Sequence, residues 1–440
     1  MSSPQNAPTQ MSQIMRYIGP GLILTASIVG SGEVIATPKL AAEAGFQLLW
    51  LIVLGCIIKV FVQVELGRFA VAKGMTTLEA MDTIPGPRLI VSWLLWLWFF
   101  MYVAIVFQVA GIVGATAQVL EQGGLDLNRK LIAVLVAGVT AGLLVLGRYK
   151  LVEQVSIFMV AAFTLCTIIA VGSIQWSDFA ITGAQLAEGF KFRLPDNFTT
   201  AFGAFGIIGV GASELIYYPY WVLEKGYARN VGPNDGSAEW YERARGWMKV
   251  MRVDAWVSMV VYTLATVAFF LLGAAVLHTK GLEVTNDTLI PTLAHMYRES
   301  FGPMGLHIFL LGAFFALFST MFVATASNAR LLVDGLKLFK LVNYPDEEAR
   351  QRLIRICCVV LPAISVGMFM LWEKPVTLVF IGAVGQGLML PFLAMAALYF
   401  RYKRTDAPLQ PGGAWTFFLW VAAVSMIAAG IYQVVTQFLK

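Results

Sequence analysis

Runs of about 20 apolar residues recur from one end of this 440-residue chain to the other. Each is long enough, at ~1.5 Å per helical residue, to cross a hydrocarbon layer ~30 Å thick. The composition agrees: 58% of the residues are apolar and 13% are charged, against about 25% charged in soluble domains. Outside the first 15 residues no stretch is long or polar enough to make an independent water-soluble domain. The expectation is an all-α membrane protein: a cytoplasmic tail over 1–15 and a single transmembrane domain over 16–440. The tail, polar from Met1 to Gln13, lacks the charged-then-apolar order of a cleaved signal peptide.

About eleven spans are predicted, near 17–44, 47–72, 90–120, 130–147, 150–174, 200–224, 252–277, 303–334, 353–372, 375–400 and 413–437. They are numbered spans 1 to 11 below. Short cytoplasmic loops are enriched in Lys and Arg. Span 6 is followed by Lys225, Arg229, Arg243, Arg245, Lys249 and Arg252, and span 8 by Lys337, Lys340, Arg350, Arg352 and Arg355. Span 10 is followed by Arg401, Lys403 and Arg404, whereas span 9 is followed by a lone Lys374. This bias, with an odd number of spans, puts the N-terminus inside and the C-terminus outside; the expected location is a plasma or inner cell membrane. The net charge of +5 sits in these short loops, so it speaks to topology and not to nucleic acid.

Cys56, Cys166, Cys357 and Cys358 all fall in apolar segments and read as small buried residues, with neither a disulfide framework nor zinc spacing. Trp93, Trp96 and Trp98 at the start of span 3 read as an interfacial belt. Asn197 and Asn286 open two Asn-x-Thr triplets on expected outer loops, which matter only in a glycosylating host.

Spans 1 and 6 carry the functional signal. Span 1 contains Val29-Gly30-Ser31-Gly32-Glu33 with Pro38 five residues on; span 6 contains Val210-Gly211-Ala212-Ser213-Glu214 with Pro219 five residues on. The shared pattern V-G-x-x-E-x-x-x-x-P is expected by composition about once in 10⁵ positions. Two copies, each opening a group of five spans, indicate an internal duplication: repeat one over 16–175, repeat two over 198–402, and an extra helix over 413–437. Glycine weakens a helix, and proline removes a donor and crowds the preceding turn. A broken helix at bilayer depth is tolerated where its freed backbone groups are buried in protein or line a cavity. A glutamate there costs energy and usually marks a pathway or site. Paired broken helices are the sequence pointer to a transporter's midplane site. Two other roles stay open for the glutamates. Glu33 is placed to cap the second half-helix, and Glu214 to bond a neighbouring span or a buried base such as Lys59. Lys59 and Glu65 of span 2 lie six residues apart, which is not a same-face spacing.

With Gly19-Pro20-Gly21-Leu22 before the interrupted span, the chain resembles the natural-resistance-associated macrophage protein (NRAMP) family. The likeness continues at Leu48-Leu49-Trp50, Arg148 with Glu153, Gly211-Ala212, Asp254 and Leu390-Pro391-Phe392. It implies a divalent-metal transporter with two inverted five-helix repeats, a leucine-transporter-type fold with broken helices 1 and 6, working by alternating access. The departures fall where that family does its chemistry. Its first-helix motif Asp-Pro-Gly-Asn is replaced by Gly30-Ser31-Gly32-Glu33, and Met-Pro-His of its sixth helix by Leu215-Ile216-Tyr217. The acidic residue of its third helix, linked to proton movement, is Gln108 here. Its tenth-helix glutamine aligns with Ala383, with Gln386 one turn further. Sulfur and imidazole are thus absent from the register, and carboxylate and carbonyl oxygens suit hard cations. The histidines (His278, His295 and His307) cluster in or beside the loop before span 8.

The expected function is a secondary transporter of a small cation, foremost a hard divalent metal ion held by Glu33 and Glu214. The substrate site is expected to include Gly30, Ser31, Glu33, Gly211, Ala212, Glu214, Tyr217 and Gln386, with Gln108, Lys59, Thr325 and Ser327 along the pathway. Thr325 and Ser327 enter by fold analogy, as oxygens for a sodium ion between spans 1 and 8. An organic amine or other small solute, helped by Tyr217, Tyr218, Tyr220 and Trp221 through cation–π contact, stays open, as does a non-transporting sensor. No spacing for an enzyme's metal, nucleophile or phosphate loop is found, and no cofactor is expected. The partners are the substrate and the lipid bilayer; the oligomeric state is open.

Overall fold

A computed structural model describes residues 4–147, 149–193, 201 and 204–438. Arg148 and Asn197 lie outside these residues, and so does the side chain of Glu153. The described residues are almost entirely helical, apart from a two-residue antiparallel ladder pairing Arg88–Leu89 with Val91–Ser92. Among the described residues, seven helical stretches are long and apolar enough to cross a membrane; the first, Pro20–Lys73, holds two successive spans. The molecule is an integral membrane protein.

Most spans run where the apolar periodicity places them: Leu49–Lys73, Trp93–Gln122, Arg129–Val145, Tyr149–Ser173, Pro375–Lys403 and Gly413–Phe438. Span 7 starts earlier than expected, at Ala238, because Ser237 caps it: its hydroxyl accepts from Trp240 N at 3.0 Å. Span 9 starts at Glu347 for the same reason, with Asp346 accepting from Ala349 N at 2.8 Å. A helix over Leu289–Phe301 joins spans 7 and 8 where a loop was expected.

The two interrupted spans break where their glycines fall. Span 1 is helical over Pro20–Ile28, passes through a π-type turn over Ser31–Ala36, and resumes over Thr37–Ala44. In span 6, residues 206–211 are irregular and the helix resumes over Ala212–Glu224. Gly209 turns there with φ +61°, a conformation open to glycine at little cost. The breaks touch: a Cβ on Gly32 would lie 2.8 Å from the Ile207 carbonyl oxygen. Span 7 fixes the start of span 1, since Asp254 accepts from Gly19 N and Gly21 N, each at 2.7 Å. Tyr218 donates to the same carboxylate at 3.0 Å.

The ends of the molecule are tied separately. At the end carrying the basic loops, Lys73 pairs with Asp406, Arg404 reaches Thr83 O, and Tyr227 donates to Tyr17 O. At the other end, the segment 284–286 is bonded to spans 1, 3 and 10 through Lys39, Gln118 and Thr377. One expectation changes. Trp98 is not interfacial: it is 1% exposed and packs against Gly335 of span 8. Glu65 is bound within its own end of the bundle, with Arg68 at 3.2 Å and Trp415 Nε1 at 2.7 Å.

Candidate functional site

The second half of span 6 begins with Glu214 in its first turn, where the helix dipole favours an anion. Its Oε1 accepts from Ser27 Oγ of span 1 at 3.2 Å, and its Oε2 lies 2.7 Å from Ser213 Oγ. Ser213 extends the contact to span 10. Its amide donates to Gln386 Oε1 at 2.9 Å, and its hydroxyl lies 2.8 Å from the same oxygen. The hydroxyl carries one proton, so it donates to Glu214 or to Gln386 at any moment. Gln386 Nε2 donates to Gln108 Oε1 at 2.8 Å, and Gln108 Nε2 donates to Ser31 Oγ at 2.9 Å. One buried polar chain therefore joins spans 1, 3, 6 and 10 across both breaks.

A cavity of about 10 Å³ lies within this chain, and its polar lining is Ser27, Ser31, Gln108, Ser213, Glu214, Tyr217 and Thr320. That is close to the room one water needs, ~10–15 Å³. Two glycines let the walls close this tightly. A Cβ on Gly211 would sit 2.6 Å from Glu214 Oε2. A Cβ on Gly30 would run into the Thr320 hydroxyl and come 3.0 Å from Ala316 O. Ala212 is the buried first residue of the resumed helix. Tyr217 lines the cavity, and its hydroxyl donates to Asn328 Oδ1 at 2.7 Å.

The structure thus brings together Ser31, Gln108, Glu214, Tyr217 and Gln386, with Gly30, Gly211 and Ala212 as the backbone around them. It does not bring Glu33 into the same cavity. Glu33 is fully buried and turned toward span 7, where its Oε1 is 2.7 Å from Thr266 Oγ1; its Oε2 has no hydrogen bond. The expected pair of carboxylates around one cation is replaced by one carboxylate among neutral oxygens. Among the described residues, no three His, Cys, Asp or Glu side chains converge. The direction of Glu33 follows from the π-type turn, which sets its side chain off the line that a regular helix would give.

Lys59 pairs with neither glutamate. Its ammonium donates to the carbonyls of Phe205 and Ile208. Thr325 is buried with its hydroxyl unbonded, and Ser327 accepts from Trp221 Nε1 at 3.2 Å. The hydroxyls of span 8 that face the first break are instead Ser319 and Thr320, donating to Ala26 O at 3.2 and 3.1 Å. Ser27, Ser213 and Thr320 are the site residues the sequence did not single out. Ser27 stands one turn before Ser31, and Ser213 stands inside the duplicated motif, so spacing was the available signal for both. Nothing in the sequence distinguishes Thr320 from Thr325.

Two facing broken helices, each carrying a buried carboxylate with one of the two, Glu214, on the cavity between them, define the site of a membrane transporter fold. The comparisons agree. A manganese transporter variant from Eremococcus coleocola superposes with a TM-score of 0.73 at 14% identity, covering 99% of this chain and 90% of the other. A nucleobase-cation-symport-1 family transporter in a closed conformation gives 0.59 at 16% identity, covering 99% and 97%. These likenesses show the leucine-transporter-type fold with its two five-helix repeats. In sequence, the divalent metal cation transporter MntH of Deinococcus radiodurans is 23% identical over 432 residues, 97% of this chain and 91% of its own length. An uncharacterised protein of Pasteurella multocida is 24% identical over 73% of this chain and 70% of its own. The family model described as natural resistance-associated macrophage protein-like matches residues 21–436, and the chain belongs to that family.

Proposed function

We propose that this protein is a secondary transporter, not an enzyme, that carries a hard divalent cation of the magnesium, calcium or manganese class. The cation binds at Glu214 and is passed across by alternating access around the two breaks. The cavity carries the reading. It has room for one atom-sized body, and the donors on its wall are a carboxylate, hydroxyls and the amide group of Gln108, with the Gln386 amide beside them. Hard cations take oxygen ligands, and neither thioether nor imidazole is present to favour a softer metal. Metal-transporting relatives named for divalent cations and for manganese support the cargo class. Ser27, Ser31 and Ser213 then supply neutral oxygens, while Gln108 and Gln386 orient them and hold spans 3 and 10 to the site. An organic amine has one observation in its favour, an aromatic residue, Tyr217, among those lining the cavity, since aromatic faces attract cations. It requires the cavity to widen severalfold first.

Calorimetric titration of Mg²⁺, Ca²⁺ and Mn²⁺ into purified protein tests the reading. At least one should bind, and Glu214→Gln should weaken it by about 2–3 kcal/mol, roughly 30- to 150-fold, the scale of losing bonds to a charged group. Glu33→Gln should leave the isotherm within about threefold. Folded protein silent to all three metals would sink the proposal. An equal loss in both variants would instead return Glu33 to the ligand shell.

A further inference from the structure

Lys59 lies in the middle of span 2, at 0% exposure. A cation at that depth is costly and is kept where something compensates it. Its ammonium lies 2.5 Å from Phe205 O and 2.8 Å from Ile208 O. It also stands 4.4 Å from the centre of the Phe205 ring, over its face. Phe205 is the last helical residue before the interruption of span 6 and Ile208 lies within it, so the break leaves both carbonyls free to turn toward a cation. Two converging carbonyls and an aromatic face are the surroundings that a sodium ion or a primary ammonium takes.

We infer that the break of span 6 contains a monovalent-cation site, distinct from the Glu214 cavity, which the chain fills permanently with its own Lys59 ammonium. Glu214 and Glu33, from spans 6 and 1, are the carboxylates whose fields reach Lys59, and Cys56 is the neighbouring thiol on its own helix. Among the described residues no carboxylate lies within ion-pair distance of its nitrogen. The ammonium therefore does two things at once. It satisfies the carbonyls of the break without holding either glutamate, and it occupies the place where a free monovalent ion would otherwise act. A tethered cation cannot leave during a transport cycle, so sodium has no vacancy to fill here. The inference stands apart from the cargo reading, because it concerns other ligands and its test needs no transport.

The test is thermal unfolding of purified wild type and Lys59→Ala, followed by tryptophan fluorescence. Sodium, potassium, ethylammonium and choline chlorides are compared at equal ionic strength. Wild type should unfold at one temperature in all four. Lys59→Ala should unfold earlier in choline, and sodium or ethylammonium should raise its Tm saturably by roughly 2 °C or more. A Lys59→Ala Tm equal to wild type, or lowered but blind to every cation, overturns the inference. So does a saturable response of wild type to sodium, since the site would then be vacant. Should Lys59→Ala yield no folded protein, Lys59→Met is expressed with and without ethylammonium in the medium. Folded yield regained with the amine supports a site needing a cation. Full yield without it, or none with it, overturns the site.

Discussion

Gln386 shows how much one side chain settles at this site. Its carbonyl oxygen takes the Ser213 amide at the start of the resumed helix, and its amide group reaches Gln108 across to span 3. Replacing it with alanine leaves the Ser213 N–H and one end of Gln108 buried without partners. An unsatisfied buried group costs about 1–3 kcal/mol. Gln386→Ala is therefore expected to weaken cation binding about 5- to 150-fold by calorimetry, while Gln386→Glu, which keeps the accepting oxygen, should lose less. An Ala variant that binds like wild type would show that the polar chain is not part of the site. Gln108, Gln386 and Glu214 were all legible in the sequence, because a polar residue in an apolar run stands out. The hydroxyl residues that line the cavity with them, Ser27, Ser213 and Thr320, were not, since such residues are ordinary within membrane helices and declare no direction. Glu33 points away from the Glu214 cavity for a local reason. The motif repeats as a string, but span 1 breaks into a π-type turn before its carboxylate and span 6 into an irregular loop, so identical letters point to different neighbours.

At the scale of elements, the breaks are held from outside themselves. Asp254 of span 7 accepts two backbone amides at the head of span 1, and Tyr218 from the resumed half of span 6 bonds the same carboxylate. One residue thus fixes the start of one broken helix against the continuation of the other. Asp254→Asn turns one accepting oxygen into a donor facing an amide N–H. The expected loss is about 1–3 kcal/mol, read as a Tm lowered by a few degrees, with metal binding reduced less than by Glu214→Gln. The opposite order of effects would place Asp254 in the binding step. Helix positions were legible throughout from apolar run length. Helix ends were less so: spans 7 and 9 extend beyond their apolar stretches because Ser237 and Asp346 cap polar turns, and an apolar run carries no information about a helix that continues into water.

On the scale of the whole molecule, the Glu214 cavity stands apart from a large vestibule. A vestibule of about 910 Å³ opens at the end opposite the basic loops, lined by Lys39, Glu43, His278, Asn286, Thr377 and Phe380 among others, but it includes no residue of the Glu214 cavity. At the basic end, Glu224 at the foot of span 6 pairs with Arg330 of span 8 at 2.5 Å. The alternating-access cycle proposed above would have the closure at one end yield while the other holds. The vestibule side is fastened at Asn286. Its amide nitrogen donates to Thr377 Oγ1 at 3.1 Å, and its oxygen accepts from Thr377 N at 3.1 Å. Gln118 at the end of span 3 donates to its backbone carbonyl at 2.7 Å. The same residue opens an Asn-x-Thr triplet, yet in this closed arrangement its side chain is spent on span 10. Asn286→Ala removes both bonds to Thr377 and leaves Gln118 in place. Two part-exposed hydrogen bonds at about 0.5 kcal/mol each shift the balance toward the open form by roughly fivefold. Phe380→Cys, in the vestibule wall, reports the shift through its rate of labelling by a membrane-impermeant maleimide. Labelling should be several-fold faster with Asn286→Ala than without it, and a saturating hard cation should slow it if occupancy favours closure. Unchanged labelling would mean that the segment 284–286 rides on span 10 without restraining it, and that the closure on this side lies deeper, where Gly30 and Thr320 meet.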